Sequence, residues 1–259
     1  MTTPVANRQA PWGSEPRSIQ PASTQPDQQS PYHNASLAPE SSPIKDESQT
    51  KVPTAPMEAE LIHAEAVPDI DEDILNEVLS TVSPMYPILP NSKERIQSLL
   101  AQCPEPVAMA FVLALQAVGQ SGGSDVKQAS MLLHDWESSD APRTRAADIV
   151  HAQTLLLLIV DADWRTASTL PFLLSRAVAL ANTMKLWRFT PVEEIQDSDS
   201  EDMLALRIWW SLVLMDRWYA AGTGKPAQIP DSSVVIPPGL ENAVGEICFN
   251  FIRKCSVPL

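Results

Sequence analysis

Glu201-Asp202-Met203-Leu204-Ala205-Leu206-Arg207-Ile208-Trp209-Trp210-Ser211-Leu212-Val213-Leu214-Met215-Asp216-Arg217-Trp218-Tyr219 is the stretch that decides the fold class. Leu206, Trp210, Leu214 and Trp218 follow at four-residue steps, and Leu204, Ile208 and Leu212 line a second face. A helix that is apolar around most of its circumference lies inside a helical protein. This one nevertheless carries Arg207, Asp216 and Arg217, and a charge taken out of water needs a partner. Adjacent Asp216 and Arg217 point apart around the helix, so their partners must come from other helices or from the chain that follows. For Asp216 the chain offers Arg176 and the backbone N–H groups of residues 222–225. Trp209, Trp210 and Trp218 read as core rather than as a ligand cage.

The same period recurs upstream. Ile74, Leu75, Val78, Leu79 and Val82 form one apolar face behind the acids Asp69, Asp71 and Asp73, which suit the first turn of a helix. Pro84, Pro87 and Pro90 hold 85–89 extended, and Asn91 with Glu94 predicts a capping box for a short helix through Cys103. Residues 107–118 are apolar nearly all round, with Gly119, Gly122 and Gly123 expected to end that helix. Val126, Ala129, Leu132, Leu133 and Trp136 mark the next, and 143–162 with 168–187 predict an antiparallel pair. Thr190 to Ser200 reads as a polar separating stretch, and Asp197 to Asp202 as a solvated acidic loop and N-cap in which Ser198 and Ser200 are candidates for phosphorylation. Prolines 226, 230, 237 and 238 make 222–238 a non-helical arm. No run of alternating strands appears, so the expected class is all-α.

Composition divides the chain. It has 259 residues with 24 prolines against 8 glycines, and 10 of the prolines fall in the first 66 residues, among Ser and Gln and without apolar period. Such a segment cannot bury enough surface to offset its chain entropy, so 1–66 is expected to be a disordered tail and 67–259 the helical domain. The net charge is −14, and from residue 67 onward 14 Lys and Arg face 24 Asp and Glu. Proteins that hold DNA do so largely by neutralising phosphates with a basic face, and none is present here. Three cysteines fit a reducing compartment. The longest apolar runs, 107–115 and 155–160, fall short of the roughly 18 residues a bilayer span needs. The expectation from these counts is a soluble, intracellular protein without membrane association.

Chemical motifs fail on inspection. Gly222-Thr223-Gly224-Lys225-Pro226 lacks the earlier glycine of a phosphate loop, where Tyr219 stands, and has proline where Ser or Thr must reach magnesium. Asp69-x-Asp71-x-Asp73 lacks the glycine and glutamate of a calcium loop, with Ile74 and Ser80 in their places. The four histidines are scattered, and no nucleophile, base or carboxylate pair can be named. The expected site has no catalytic residue, no metal ligand and no bound cofactor.

In this order, Tyr86-Pro87-Ile88-Leu89, Ala152-Gln153-Thr154-Leu155-Leu156-Leu157, the Ala-rich 176–186 ending at Arg188, and Arg207…Trp209-Trp210…Asp216-Arg217…Gly224-Lys225-Pro226…Ile229-Pro230-Asp231 are a specific set. The chain resembles, over about residues 70–240, the fungal-specific transcription factor domain, the middle homology region of Zn2Cys6 zinc-cluster regulators. Asp216-Arg217-Trp218 and 229–235 are most similar to sugar-responsive members. The resemblance implies that Arg207, Trp209, Trp210, Asp216, Arg217, Gly224, Pro226 and Asp231 maintain the fold. It implies zinc and DNA binding only through a six-cysteine cluster, which residues 1–66 do not contain. It also implies co-regulators or the transcription machinery as partners, and it leaves room for a small-molecule effector and a homodimer. The family's helices continue past position 259, so a C-terminal truncation is expected. The competing classes are a stand-alone helical enzyme or small-molecule binder using a cavity between helices, and a non-functional gene-model fragment.

Overall fold

The computed structural model describes residues 68–120, 123–188 and 197–256. The expectation of a disordered 1–66 lies outside the described residues. Within them every regular element is helical: α1 (Glu72–Thr81), α2 (Lys93–Leu100), α3 (Glu105–Gln120), α4 (Gly123–Glu137), α5 (Arg145–Trp164), α6 (Leu170–Met184), α7 (Glu201–Thr223), α8 (Leu240–Val244) and α9 (Glu246–Ser256). Short 3₁₀ turns follow α6 at Leu186–Arg188 and interrupt the arm at Asp231–Ser233. The class is all-α, as the apolar periods predict.

Two helices form the interior. α5 is buried from Ala146 to Ala162 except at half-buried Asp148, and α7 from Met203 to Asp216, with neither leaving a polar stripe for solvent. α5 packs against α3, α6, α7 and α2, while α3 also carries α1 and α4. α7 packs against α5, α6, α8 and α9.

Local chemistry sets the helix ends. Asp71 caps α1, accepting from the N–H groups of Asp73 and Ile74. α2 is capped by Ser92, whose hydroxyl accepts from Arg95 N–H, not by Asn91 as the sequence spacing suggested. Asn91 instead donates its backbone N–H to the Asp199 carboxylate. α2 also stops at Leu100, before Cys103. Thr144 caps α5, and α6 ends in a left-handed Lys185 whose N–H returns to the last turn. α3 ends at Gln120, within the glycine cluster expected to stop it, and Gly119 sits in its last turn. A Cβ there would stand 2.6 Å from Ile74 Cγ2, so glycine is what lets α3 approach α1.

A polar node ties α4, α5 and α6. Glu137 Oε1 accepts from Arg176 at 2.8 Å and lies 2.7 Å from Nε2 of buried His151. Trp136 meets the His151 ring edge-on, and the Arg143 guanidinium lies over Trp136. Burial alone would raise the Glu137 pKa, but the hydrogen bonds from His151 and Arg176 outweigh it and hold the carboxyl at about 2. Arg176 is thereby committed to Glu137 and is not the partner of Asp216.

Candidate functional site

α7 presents its charged residues to three different partners. Near its start, buried Arg207 donates to Asp199 Oδ1 at 2.9 Å, with side-chain exposures of 5% and 14%. Burial pushes the Arg207 pKa down and Asp199 opposes this. Asp199 also receives Asn91 N–H, and Asp197 pairs with Arg95. Asp197 and Ser198 are exposed, as their composition predicts, but Asp199 is a largely buried ion partner rather than part of a solvated loop. The long sequence separation between Asn91, Arg95 and Asp199 hid this. Ser200 caps α7, as expected, while residues 189–196 lie outside the described ones.

At the other end, Asp216 is 1% exposed. Both of its oxygens are taken, by Gln228 N–H on Oδ1 and Ile229 N–H on Oδ2, each at 2.9 Å. The donors are backbone groups of the arm, but they lie at 228 and 229 rather than in the 222–225 turn. That turn is still part of the helix end: α7 runs to Thr223, and Gly224, at φ 66°, closes it in the left-handed conformation that glycine adopts without strain. Pro226 then keeps the chain from re-entering a helix. Arg217 lies 2.7 Å from Asp231 Oδ1, a close ion pair without a well-directed hydrogen bond, and Asp231 itself is exposed. Asp216 and Arg217 thus hold the two ends of one short segment, 228–231, while Ile229 fills the core between them. Trp209 and Trp210 are buried within that core.

Trp218 is not core. It is 46% exposed, meets Phe251 of α9 edge-on at 5.6 Å, and forms one side of a cleft of about 950 Å³. The cleft lies where α5 and α7 both end and α6 begins. Ile159, Val160, Leu174 and Met215 make its apolar floor. Tyr86, Trp164, Trp218 and Tyr219 supply aromatic walls, and Asp163, Thr166 and Ser168 the polar rim. Met85 and Tyr86 reach it because the proline-held segment is pinned by Gln153, whose side-chain amide donates to the Ile88 carbonyl at 2.7 Å. Burial first, and the Asp163 charge second, push the Tyr86 phenol up to about 12, so it remains a neutral donor.

None of the cleft's Tyr86, Asp163 or Trp164 was singled out as a ligand contact from sequence. A signal existed. Asp161 and Asp163 stand in the last turn of α5, where the carbonyl end of a helix disfavours anions and no basic residue is present. Such a conflict is a marker of a residue retained for another purpose.

Chemically, the described residues hold no group of three or more His, Cys, Asp or Glu placed to bind a metal ion. No helix among them is long and apolar enough to cross a membrane.

An uncharacterized transcriptional regulatory protein of Schizosaccharomyces pombe (strain 972 / ATCC 24843) is 26% identical to this chain over 234 residues. The match covers 82% of the chain and 27% of the relative, so the chain spans about a quarter of that protein's length. No family model matches. No solved structure matches.

Proposed function

We propose that this chain is the helical middle-homology module of a fungal zinc-cluster transcription regulator. In this role it modulates the output of DNA-bound protein in the nucleus, performs no catalysis and makes no DNA contacts of its own. Zinc and DNA would enter through a six-cysteine cluster, and co-regulators or the transcription machinery would be the partners, with a homodimer as one assembly. By the similarity of 216–218 and 229–235 to sugar-responsive members, its targets would lie in sugar or carbon metabolism and transport.

The observation that carries the reading is the clamp on the arm. Arg207, Asp216, Arg217, Gly224, Pro226 and Asp231 are the residues of the family resemblance, and all of them bear on how α7 begins, ends and holds 228–231. The name of the Schizosaccharomyces relative supports a regulatory role, and the excess of acid over base supports the lack of DNA contacts. The cleft supports a second element of the reading, a small-molecule effector seated at the ends of α5 and α7.

The test is tethering. The full chain is fused to a heterologous DNA-binding domain above a reporter gene in yeast. Output should differ several-fold from that of the DNA-binding domain alone at matched protein level. Equal output would overturn the proposal.

A further inference from the structure

The cleft's apolar lining conceals a directional charge. Two helices, α5 and α7, end at it: Asp163, Trp164 and Thr166 belong to the end of one, Gly222 and Thr223 to the end of the other. Each C-terminus carries the negative pole of its dipole, although the N–H groups of Arg165, Thr166 and Ala167 already take the α5 carbonyls of residues 161–163, and neither helix has a basic residue in its last turn. α6 starts at the cleft with the opposite pole, so one positive end faces two negative ones. Asp163 is the one charged side chain among the lining residues, and it is exposed on the rim. Arg165 does not neutralise it, because its Nε is held 2.7 Å from Asp161 Oδ1. Among the described residues no base pairs with Asp163.

The aromatic walls point the same way. Trp164 is 55% exposed and Trp218 46%, an unusual loss of apolar burial for two indoles on one cleft. Aromatic faces attract cations. Lys225, from outside the lining, already lies 6.0 Å from the Tyr219 ring centre. A cleft of about 950 Å³ is at the upper end of the range for small-ligand sites.

We propose that this cleft binds an apolar organic cation, its flat hydrophobic body against Trp164, Trp218 and Tyr86 and its ammonium head at Asp163. The assignment names the chemistry of the effector and rests on the effector reading for its consequence in transcription. Its physical content, charge-selective binding, does not depend on that reading.

The experiment uses the purified full chain and three probes that share one body: 1-pyrenebutyl-trimethylammonium, 1-pyrenebutanol and 1-pyrenebutyrate. Binding is read by pyrene fluorescence anisotropy and by quenching of tryptophan. The ammonium should bind about ten-fold tighter than the alcohol, combining an exposed ion pair with cation–aromatic contact, and the carboxylate weakest. Asp163→Asn should cut the ammonium-to-alcohol ratio to about two-fold with the alcohol unchanged, while Trp164→Ala should weaken all three. Asp140→Asn removes one exposed charge from the turn after α4 and should leave the ratio intact. Equal affinity for the three probes, preference for the carboxylate, or no binding would each overturn the assignment. So would a ratio that falls equally in Asp140→Asn, since that would be the pull of net charge alone. Because binding and tethered output are measured separately, failure here leaves the regulatory proposal standing, and the reverse.

Discussion

Replacing Asp216 by alanine should loosen the arm before it unfolds the domain. The carboxylate is 1% exposed and accepts two backbone hydrogen bonds of 2.9 Å, from Gln228 and Ile229. The two donors differ in what they lose. Ile229 is 2% exposed, so its N–H has no water to turn to and would be stranded at about 1–3 kcal/mol. Gln228 is exposed, and its N–H regains a water partner, leaving only the net worth of the bond, about 1 kcal/mol. The sum is about 2–4 kcal/mol, which for a domain of this size lowers Tm by about 5–15 °C. Asparagine keeps one acceptor but turns an amide donor toward the other N–H, so it should restore less than half of the loss. The assay is thermal unfolding by circular dichroism, paired with limited proteolysis scored for cuts between residues 224 and 239. Asp216→Ala should melt early and be cut there below its Tm. A Tm within about 1 °C of the parent and an uncut arm would refute the clamp, since a buried orphan N–H cannot be that cheap.

Asp199→Ala should destabilise the domain by about 3–5 kcal/mol, because it strands the buried Arg207 guanidinium, whereas Arg207→Met with Asp199→Ala should recover most of this; chemical denaturation of both variants checks it. Gly119→Ala should cost about 1–3 kcal/mol despite alanine's better helix propensity, since its Cβ would meet Ile74 Cγ2 at 2.6 Å; the denaturation midpoint reads this directly. Glu137 sits at about 2 in the fold against an ordinary 4.5, so its stabilising share is complete above pH 4.5 and drains as pH falls toward 2. The Tm gap between the parent and Glu137→Gln should therefore narrow as acid is added, and a gap constant with pH would contradict the node.

Helix existence was legible because it depends on spacing. Ile74 to Val82 and Leu204 to Leu214 state their period along the chain, and Asp71 and Ser200 state where the helices start. Partners were less legible, because they depend on where distant segments land. Asp216 required a partner by its surroundings alone, yet nothing local distinguishes the N–H groups at 228 and 229 from those at 222–225. Asp199 looked like solvated loop because its two partners, Asn91 and Arg207, lie on separate elements. The packing role of Gly119 was hidden for the same reason: the Ile74 side chain that demands a glycine is 45 residues away. Trp218 continued the apolar step of Leu206, Trp210 and Leu214, but periodicity tells which face a residue occupies, not where the neighbouring helices end. α5 and α7 both stop beside it, and the cleft opens there.

The measurement that tests the central claim most directly is transcript output per occupied site. A six-cysteine zinc cluster of known operator is expressed alone and joined to the full chain, with promoter occupancy and transcript measured in the same cells. If the chain regulates without touching DNA, joining it should change transcript several-fold while occupancy, and the salt dependence of operator binding in vitro, stay those of the cluster alone. A transcript change that merely follows altered occupancy, or no change in transcript, would contradict the account.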